Sequence, residues 1–206
     1  KEQKSFWADI RFGIRYLYEH KVLLKLVLLT STLGFLYSAA TSTMVLYITE
    51  TLKTPIALFG VLLSAPAVGA LIAALMTPKI SKRFGRSQVL AVAILLAGLL
   101  IVLQGLAPNY LVLGLIMMGS SIVVTHWNIL LMSIYHQIIP TELFGRIHGT
   151  RRTLVWGLMP LGALLGGFIA TFGLRLPFLI AGGVSFVVAA FGYRFVKRLS
   201  ETATQD

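Results

Sequence analysis

The sequence predicts an all-α integral membrane protein, built as a bundle of six transmembrane helices. The chain of 206 residues is 57% hydrophobic and only 12% charged, with a mean hydropathy of +0.85. Soluble domains are about 25% charged, so this composition is that of a membrane protein. Six apolar segments recur along the chain. Each is close to or above the roughly 20 residues that an α-helix needs to cross about 30 Å of hydrocarbon.

The six apolar segments are separated by short polar or charged stretches. They lie at about residues 22–48, 56–76, 88–107, 110–139, 150–171 and 177–196. Pro140 ends the fourth segment, because the residue before a proline is driven out of the helical conformation. Thr141 is then predicted as an N-cap, with Glu142 in the first turn of the next helix. We therefore expect one six-helix membrane domain over residues 22–196.

Polar regions flank this domain on both sides. Residues 1–21 are basic, and their apolar side chains recur near the helical period, at Phe6, Ile10, Ile14 and Leu17. This pattern predicts an amphipathic helix in the inner membrane interface, with Trp7 and Tyr16 at headgroup depth. Residues 197–206 are predicted to be a cytoplasmic tail. Because the chain does not begin with Met and has no evident cleavable signal, we expect it to be the interior of a longer polypeptide.

The positive charges predict the orientation in the membrane. All but two of the 18 Lys and Arg residues lie at or near segment ends that share one side, the exceptions being Lys53 and Arg175. Short basic loops stay in the cytoplasm, so the loops at 78–87 and 140–152 and both termini are predicted there. The net charge of +11 is spread over these ends rather than over one patch. This argues for the lipid bilayer and against nucleic acid as a partner.

The chain carries none of the motifs expected of an enzyme. It has no cysteine, which excludes disulfides and thiolate metal sites. It also has no Walker-type Gly-Lys-Thr/Ser sequence, no His-Glu-x-x-His, and no Ser, His and Asp set at membrane depth. We therefore predict no catalytic residue, no metal site and no cofactor.

The loop at 78–87 is a basic turn with one glycine. Gly85 suits a turn that needs a positive φ, which other residues resist. The stretch also resembles the loop motif of the major facilitator superfamily, Gly-x-Leu-x-Asp-Arg-x-Gly-Arg. Ile80 stands at the Leu position, and three motif residues are kept, as Arg83, Gly85 and Arg86. Pro78 and Lys82 depart from the motif at its first Gly and its Asp. The resemblance implies the connection between the eighth and ninth helices of such a transporter.

Three further stretches resemble one branch of that superfamily, which includes the enterobactin exporter and macrolide efflux proteins. Residues 139–147 and 157–167 are similar to its tenth-to-eleventh-helix region, and residues 9–17 to the segment before its seventh helix. The resemblance implies that the chain is the C-terminal half, helices seven to twelve. It implies as partner an N-terminal six-helix half upstream, or a second copy of the chain. It also implies a proton-driven transporter of the plasma membrane, the bacterial inner membrane.

Residues 66–74 and 160–167 resemble each other. They read Pro-Ala-Val-Gly-Ala-Leu-Ile-Ala-Ala and Pro-Leu-Gly-Ala-Leu-Leu-Gly-Gly. These stretches lie in the second and fifth segments, which are equivalent if the bundle consists of two inverted three-helix repeats. Such repeats are the architecture of each half of these transporters. Chance similarity between two helices rich in small residues is the alternative.

His126 is the main candidate for a functional group at membrane depth. No Asp or Glu lies inside an apolar segment, and His126 falls near the middle of the fourth. It can form an interhelical hydrogen bond, line a substrate or proton cavity, or bind a metal. Further cavity candidates are Asn128, Ser38, Thr41 and Ser133. The hydroxyls of the first segment can instead bond to carbonyls of their own helix or join neighbouring helices.

The fifth segment is rich in glycine and contains one proline. Pro160, Gly162 and Gly166 let this helix bend and approach a neighbour closely. The stretch loosely resembles the Gly-Pro-rich motif of exporters' fifth helix, which implies a flexible gating helix. Close packing alone is the alternative.

Together these features predict a secondary active transporter that exports a small amphipathic molecule, such as a drug or siderophore, by alternating access. The substrate would bind near the midplane, with the first, second, fourth and fifth membrane helices as the walls of its cavity. The alternative function is a homo-oligomeric membrane pore, or a structural membrane module, built from this chain alone.

Overall fold

Helices make up almost the whole of the described chain. The structure is a computed structural model that describes residues 6–202, with side chains described at residues 10–199. Within that range it has no strand, and its elements are α1 (Phe6–Glu19), α2 (Lys21–Thr41), α3 (Met44–Leu46), a π-helical turn (Tyr47–Thr51), α4 (Ile56–Phe84), α5 (Arg86–Gly105), α6 (Tyr110–Ile138), α7 (Thr141–Ala170) and α8 (Leu176–Thr202). The predictions for residues 1–5 and 203–206, and for the side chain of Trp7, lie outside the described part.

Six helical stretches are long and apolar enough to cross a membrane. They are Lys21–Thr51, Ile56–Phe84, Arg86–Gly105, Tyr110–Ile138, Thr141–Ala170 and Leu176–Leu199. The first combines α2, α3 and the π-helical turn, and the other five correspond to α4 to α8. The predicted all-α bundle of six membrane helices is therefore confirmed.

The basic turn is much shorter than predicted. α4 continues through Pro78 and the basic residues to Phe84, and α5 begins at Arg86. Of the predicted loop at 78–87, only Gly85 is non-helical, with φ 82° and ψ 143°. Apolar composition marks where the hydrocarbon ends, whereas Lys and Arg are good helix formers outside it. The prediction of a ten-residue loop was wrong because it equated the end of the apolar run with the end of the helix.

The other basic stretch is helical for the same reason. α7 begins at Thr141 rather than near residue 150, so most of the predicted loop at 140–152 belongs to this helix. The N-cap is Pro140, in an extended conformation and without a side-chain cap. The prediction of Thr141 as N-cap was therefore wrong, although Pro140 separates the two helices and Glu142 lies in the first turn of α7, as expected.

The helices pack in a pattern that repeats after three membrane helices. α2 packs against α7, and α4 packs against α6. α5 packs against α6, and α2 packs against α8, while α5 and α8 form the most extensive contact. If α2, α4 and α5 are equivalent to α6, α7 and α8, the contact of α2 with α7 corresponds to that of α4 with α6. The contact of α5 with α6 likewise corresponds to that of α2 with α8, and the contact of α5 with α8 corresponds to itself. That pattern is the one expected of two three-helix repeats.

Paired glycines lie at equivalent contacts in the two repeats. A Cβ on Gly69 would overlap the carbonyl oxygen of Met118 in α6, and a Cβ on Gly162 would overlap that of Phe35 in α2. These two glycines are the aligned ones of the similar stretches at 66–74 and 160–167. The similarity between those stretches therefore has a shared structural cause, a close helix crossing in each repeat.

The contact between α5 and α8 is reciprocal in the same way. A Cβ on Gly98 would lie 2.5 Å from the backbone nitrogen of Phe186, and one on Gly182 would lie 2.7 Å from that of Val102. Phe186 lies four residues after Gly182, and Val102 lies four residues after Gly98, so the two contacts are symmetric. The two helices cross with their backbones in contact, which only residues without a side chain permit.

The predicted amphipathic lead is helical and docks on the bundle. α1 packs mainly against α7, and a Cβ on Gly13 would overlap the side chain of Thr150. Leu17 is buried in the apolar cluster at this end of the bundle. The guanidinium of Arg146 in α7 lies 4.1 Å from the ring centre of Phe12. α1 is therefore attached to the basic end of α7, where that helix extends beyond its apolar part.

The adjacent glycines of α8 provide a matched test of the crossing with α5. We expect Gly182→Ala to lower the stability of the purified protein by about 1–3 kcal/mol, because the added methyl group overpacks the contact with Val102. Gly183→Ala is the control, since a Cβ there has open space around it. Stability is measured as the midpoint of thermal unfolding in detergent. Equal midpoints for the two variants would contradict the crossing.

Gly85 and Lys82 test the one-residue turn. The backbone of Gly85 lies in a region of positive φ that is almost restricted to glycine, at a cost of about 1–3 kcal/mol for other residues. We expect Gly85→Val to destabilise the protein severely, whereas Lys82→Ala, at an exposed helical site, changes its stability modestly. Equal tolerance of the two substitutions in measurements of thermal unfolding would mean that the turn acts only as a tether.

Candidate functional site

An open cavity of about 500 Å³ lies on one face of the bundle. Four membrane helices supply its walls, and α8 adds one residue. The lining residues are Thr30, Leu33, Gly34 and Tyr37 of α2, Ala93, Ile94, Ala97, Gly98 and Ile101 of α5, Val123, Val124, Trp127, Asn128, Leu131, Met132 and Tyr135 of α6, His148, Arg151, Arg152, Val155, Trp156 and Met159 of α7, and Ser185 of α8.

The cavity lies between two apolar clusters. One cluster contains Leu23, Leu90 and Ile139 and lies at the end of the bundle where Gly85 and Pro140 connect helices, which we call the basic end. The other contains Tyr47 and Phe178 and lies at the opposite end. The lining segments of α2, α5 and α6 come from the interior of each helix. The cavity is therefore placed at membrane depth.

Its walls differ from the predicted ones in one helix. The second membrane helix, α4, contributes no lining residue, whereas the third, α5, contributes five. α4 packs on α6 but makes few contacts with the other helices. It therefore lies on the outer side of α6, and α5 forms the back of the cavity in its place.

His126 faces away from the cavity. Its side chain is buried, 7% exposed, and its Nδ1 lies 3.3 Å from Oγ1 of Thr77 in α4. The Thr77 hydroxyl donates to the carbonyl of Ala73 at 2.6 Å, so its oxygen is free to accept from His126. Among the three possibilities for His126, the structure thus contains the interhelical hydrogen bond. The described residues include no cluster of three His, Asp or Glu side chains that could hold a metal.

The four other cavity candidates are dispersed. Asn128 lines the cavity. Ser38 donates to the carbonyl of Met159 at 2.7 Å, which joins α2 to α7, and Thr41 donates to Tyr37 of its own helix at 2.9 Å. Ser133 lies 3.5 Å from Nη1 of Arg86, a residue of the loop motif. Of the five residues, only Asn128 is placed at the cavity wall.

The glycines of the fifth membrane helix lie against α2. A Cβ on Gly162 would overlap the carbonyl oxygen of Phe35, and a Cβ on Gly166 would overlap that of Ala39. Pro160 lies inside α7, which continues as a helix on both sides of it. The close-packing role of the two glycines is thus present in the structure, and a role in gating stays a prediction.

The loop-motif residues lie at the surface of the basic end. Arg83 and Arg86 are exposed, and the Arg83 guanidinium lies 5.3 Å from the ring centre of Phe84. Gly85 supplies the positive φ that its motif position predicted. These residues connect α4 to α5 and, through Arg86 and Ser133, α5 to α6.

The cationic residues of the cavity were not among the predicted site residues. The Arg151 guanidinium lies 4.5 Å from the ring centre of Tyr135, and that of Arg152 lies 3.9 Å from the ring centre of Trp156. Nη2 of Arg151 lies 3.5 Å from Nδ1 of His148. The sequence prediction of a loop over residues 140–152 gave these residues no helical face. Extended back to Thr141, the helical period places His148, Arg151 and Arg152 on one face with Val155.

Six membrane-spanning helices around a cavity at membrane depth form an architecture typical of multi-pass membrane transport proteins. A family model supports this class directly. The model of the transmembrane secretion effector family matches residues 2–206, so the chain belongs to that family and is a membrane transporter of the major facilitator type. No curated protein and no solved structure matches the chain significantly.

Single cysteines test which face of α6 lines the cavity. The 206 residues contain no cysteine, so one introduced thiol has no competitor among them. We expect Asn128→Cys to react with a water-soluble maleimide, because residue 128 lines the cavity and is exposed. His126→Cys, two residues away but buried against Thr77, is expected to react at least about tenfold more slowly, since its thiol requires an opening of the helix packing. The mass increase with time gives both rates, and equal rates would contradict this orientation of α6.

Proposed function

We propose that this chain is the C-terminal half, helices seven to twelve, of a secondary active transporter that exports a small amphipathic molecule by alternating access. The observation that carries the proposal is the cavity of about 500 Å³ at membrane depth. Its volume is in the range of sites for drug-sized ligands, which are about 300–1,000 Å³. Its lining is mainly apolar and aromatic with few polar side chains, as expected for an amphipathic substrate.

The arrangement of helix pairs supports movement around a central site. α2 packs on α7 and α4 packs on α6, and the cavity lies between these two pairs with α5 behind it. A second six-helix half, on the same polypeptide or in a second copy, would cover the cavity from the front. Rocking of the two halves would then open it to one side of the membrane at a time.

The outer surfaces of α4 and α7 support a partner half. These two spans are the least buried of the six. Large apolar side chains on them are exposed, including Leu71 on α4 and Leu164 and Phe168 on α7. In a membrane, such faces contact either lipid or another helix bundle. We propose that part of this surface contacts the second half and the remainder the acyl chains.

The basic end supports an orientation for the bundle. Short basic connections stay on the cytoplasmic side, so we propose that the Gly85 and Pro140 connections and both ends of the chain face the cytoplasm of a bacterial inner membrane. The membrane domain proper is residues 22–196, with residues 1–21 as an interfacial lead and residues 197–206 as a tail. With these assignments, the part of the cavity that Arg151 and Arg152 line is the part nearest the cytoplasm.

The proton gradient is the proposed energy source. Coupling needs an ionisable group that is reached from the cavity, and no Asp or Glu lines the cavity. His126 is bonded to Thr77 on the far side of α6. We therefore propose that the proton-carrying group is either His148, the titratable histidine of the cavity lining, or a residue of the second half.

Blocking the cavity tests the function. In a bacterial host that lacks its own multidrug exporters, we expect the protein to lower the steady-state accumulation of at least one fluorescent drug from an amphipathic panel, and a protonophore to abolish the effect. Gly34 lines the cavity, and a Cβ added at Gly34 would lie 3.5 Å from Cγ1 of Val155. Gly34→Leu should therefore raise accumulation to the level of cells without the protein. Gly60→Leu is the control, because Gly60 is exposed with open space around it.

The same protein in proteoliposomes separates a transporter from a pore. A transporter gives substrate flux that saturates with concentration and that Gly34→Leu abolishes. A homo-oligomeric pore instead gives continuous conductance that depends on voltage. Conductance of that kind without saturable flux would overturn the transporter proposal.

A further inference from the structure

The cavity contains positive charge that its own walls do not neutralise. Arg151 and Arg152 both line it, and no Asp or Glu does. Among the described side chains the structure has a single salt bridge, between Arg15 and Glu19 in α1. Neither cavity guanidinium therefore has a carboxylate partner within the described part of the chain. Guanidinium groups that line a cavity without a carboxylate partner are suited to binding an acid group.

The two guanidinium groups are positioned by aromatic rings. Arg151 lies over Tyr135 and Arg152 lies over Trp156. An aromatic ring contacts the flat face of a guanidinium, whereas its N–H donors all point outward in the plane of the group. The rings thus restrain both side chains without neutralising their charge. The N–H donors in the plane of each guanidinium can therefore still bind the two oxygens of an acid group.

Arg151 and Ser185 each have a buried polar atom at the cavity that lacks a hydrogen-bond partner. Nε of Arg151 is buried and makes no hydrogen bond. Oγ of Ser185 is also unpartnered, and this residue is only 2% exposed although it belongs to the cavity wall. Buried polar groups are normally paired, because an unpaired one loses its hydration without compensation. Both atoms therefore lack the compensation that a hydrogen-bond partner would give.

The rest of the lining suits an apolar molecule. On α2, Tyr37 lies seven residues beyond Thr30, about 10 Å further from the basic end at the helical rise. That part of the cavity is lined by Ala97, Ile101 and Met159, with Val123 on α6. An elongated ligand can place one polar end at the arginines and its apolar body between these residues.

We propose that the cavity binds an amphipathic anion. Its acid group, a carboxylate, sulfonate or phosphate, contacts Arg151 and Arg152, and its apolar body lies between α2, α5 and α6. This inference rests on the proposed transport function and names the substrate class of the same cavity. It assigns Arg151 and Arg152 as binding residues and not as residues that hold the bundle together.

Three probes with one aromatic body test the charge preference. Pyrenebutyrate is an anion, pyrenebutanol is neutral and pyrenebutylamine is a cation. The full protein is placed in nanodiscs of pure phosphatidylcholine, and binding is followed as quenching of tryptophan fluorescence, because Trp127 and Trp156 both line the cavity. We expect pyrenebutyrate to bind at least about tenfold more tightly than either other probe, as expected for one charge-assisted hydrogen-bonded pair. Equal affinities for the three probes would overturn the inference.

Variants locate the preference at the two arginines. Arg151→Gln should weaken pyrenebutyrate binding by about tenfold and leave the binding of neutral pyrenebutanol unchanged, while Arg151→Lys should restore part of the loss. Arg194→Gln is the matched control, because it removes the same charge from an exposed position of α8 outside the cavity. If Arg151→Gln does not fold, Arg152→Gln at the more exposed site replaces it. An anion preference that survives in both cavity variants would overturn the assignment.

An acidic phospholipid headgroup offers the same chemistry as a soluble anion. Nanodiscs with phosphatidylglycerol in equal parts distinguish the two sources. Competition with pyrenebutyrate assigns the anion to a lipid, and unchanged binding assigns it to a soluble molecule. Both results support an anion site. The binding test and the transport test can fail separately. Saturable flux without an anion preference would leave the proposed function intact and would refute only the anion site.

Discussion

Close approach of helix backbones is the constraint on which the rest of the structure depends. Lipid chains are as apolar as leucine, so helices in a membrane gain little by hiding apolar side chains from lipid and associate by close packing and hydrogen bonds. The crossings of α2 with α7, of α4 with α6 and of α5 with α8 are each made at glycines where a Cβ would meet the backbone of the neighbouring helix.

The position of the cavity is a consequence of these crossings. α2 is drawn to α7 and α6 is drawn to α4, while α5 and α8 cross behind them. α2 and α6 are therefore held apart at mid-depth, and the space between them is the cavity. Apolar clusters pack the helices together toward the two ends of the bundle. The same crossings that stabilise the bundle leave its centre open.

The two ends of the bundle are stabilised in different ways. At the end opposite the basic end, the Tyr47 hydroxyl lies 3.0 Å from the carbonyl of Gln104 and 3.3 Å from those of Gly105 and Ala107. One hydroxyl thus covers the carbonyl end of α5. At the basic end, helices instead extend beyond their apolar parts and carry arginines stacked on rings. Charge is concentrated where the cavity approaches the membrane surface, which is also where an anion would enter.

The sequence by itself determined the number of membrane helices, the class of protein and the turn at Gly85, because composition and apolar run length report directly on what crosses the hydrocarbon. It also indicated that the stretches around Gly69 and Gly162 are equivalent, with chance similarity as the alternative, and the matching helix crossings support the equivalence. Tertiary structure decided which side of each helix faces the cavity. His126 and Asn128 lie two residues apart, yet one bonds to α4 and the other lines the cavity. Tertiary structure also showed how far α4 and α7 extend beyond their apolar segments, and therefore where Arg151 lies. Hydropathy does not predict these extensions, because polar and charged residues can also be good helix formers. The helical period indicates which residues share a face, but only the packing of neighbouring helices decides what that face contacts.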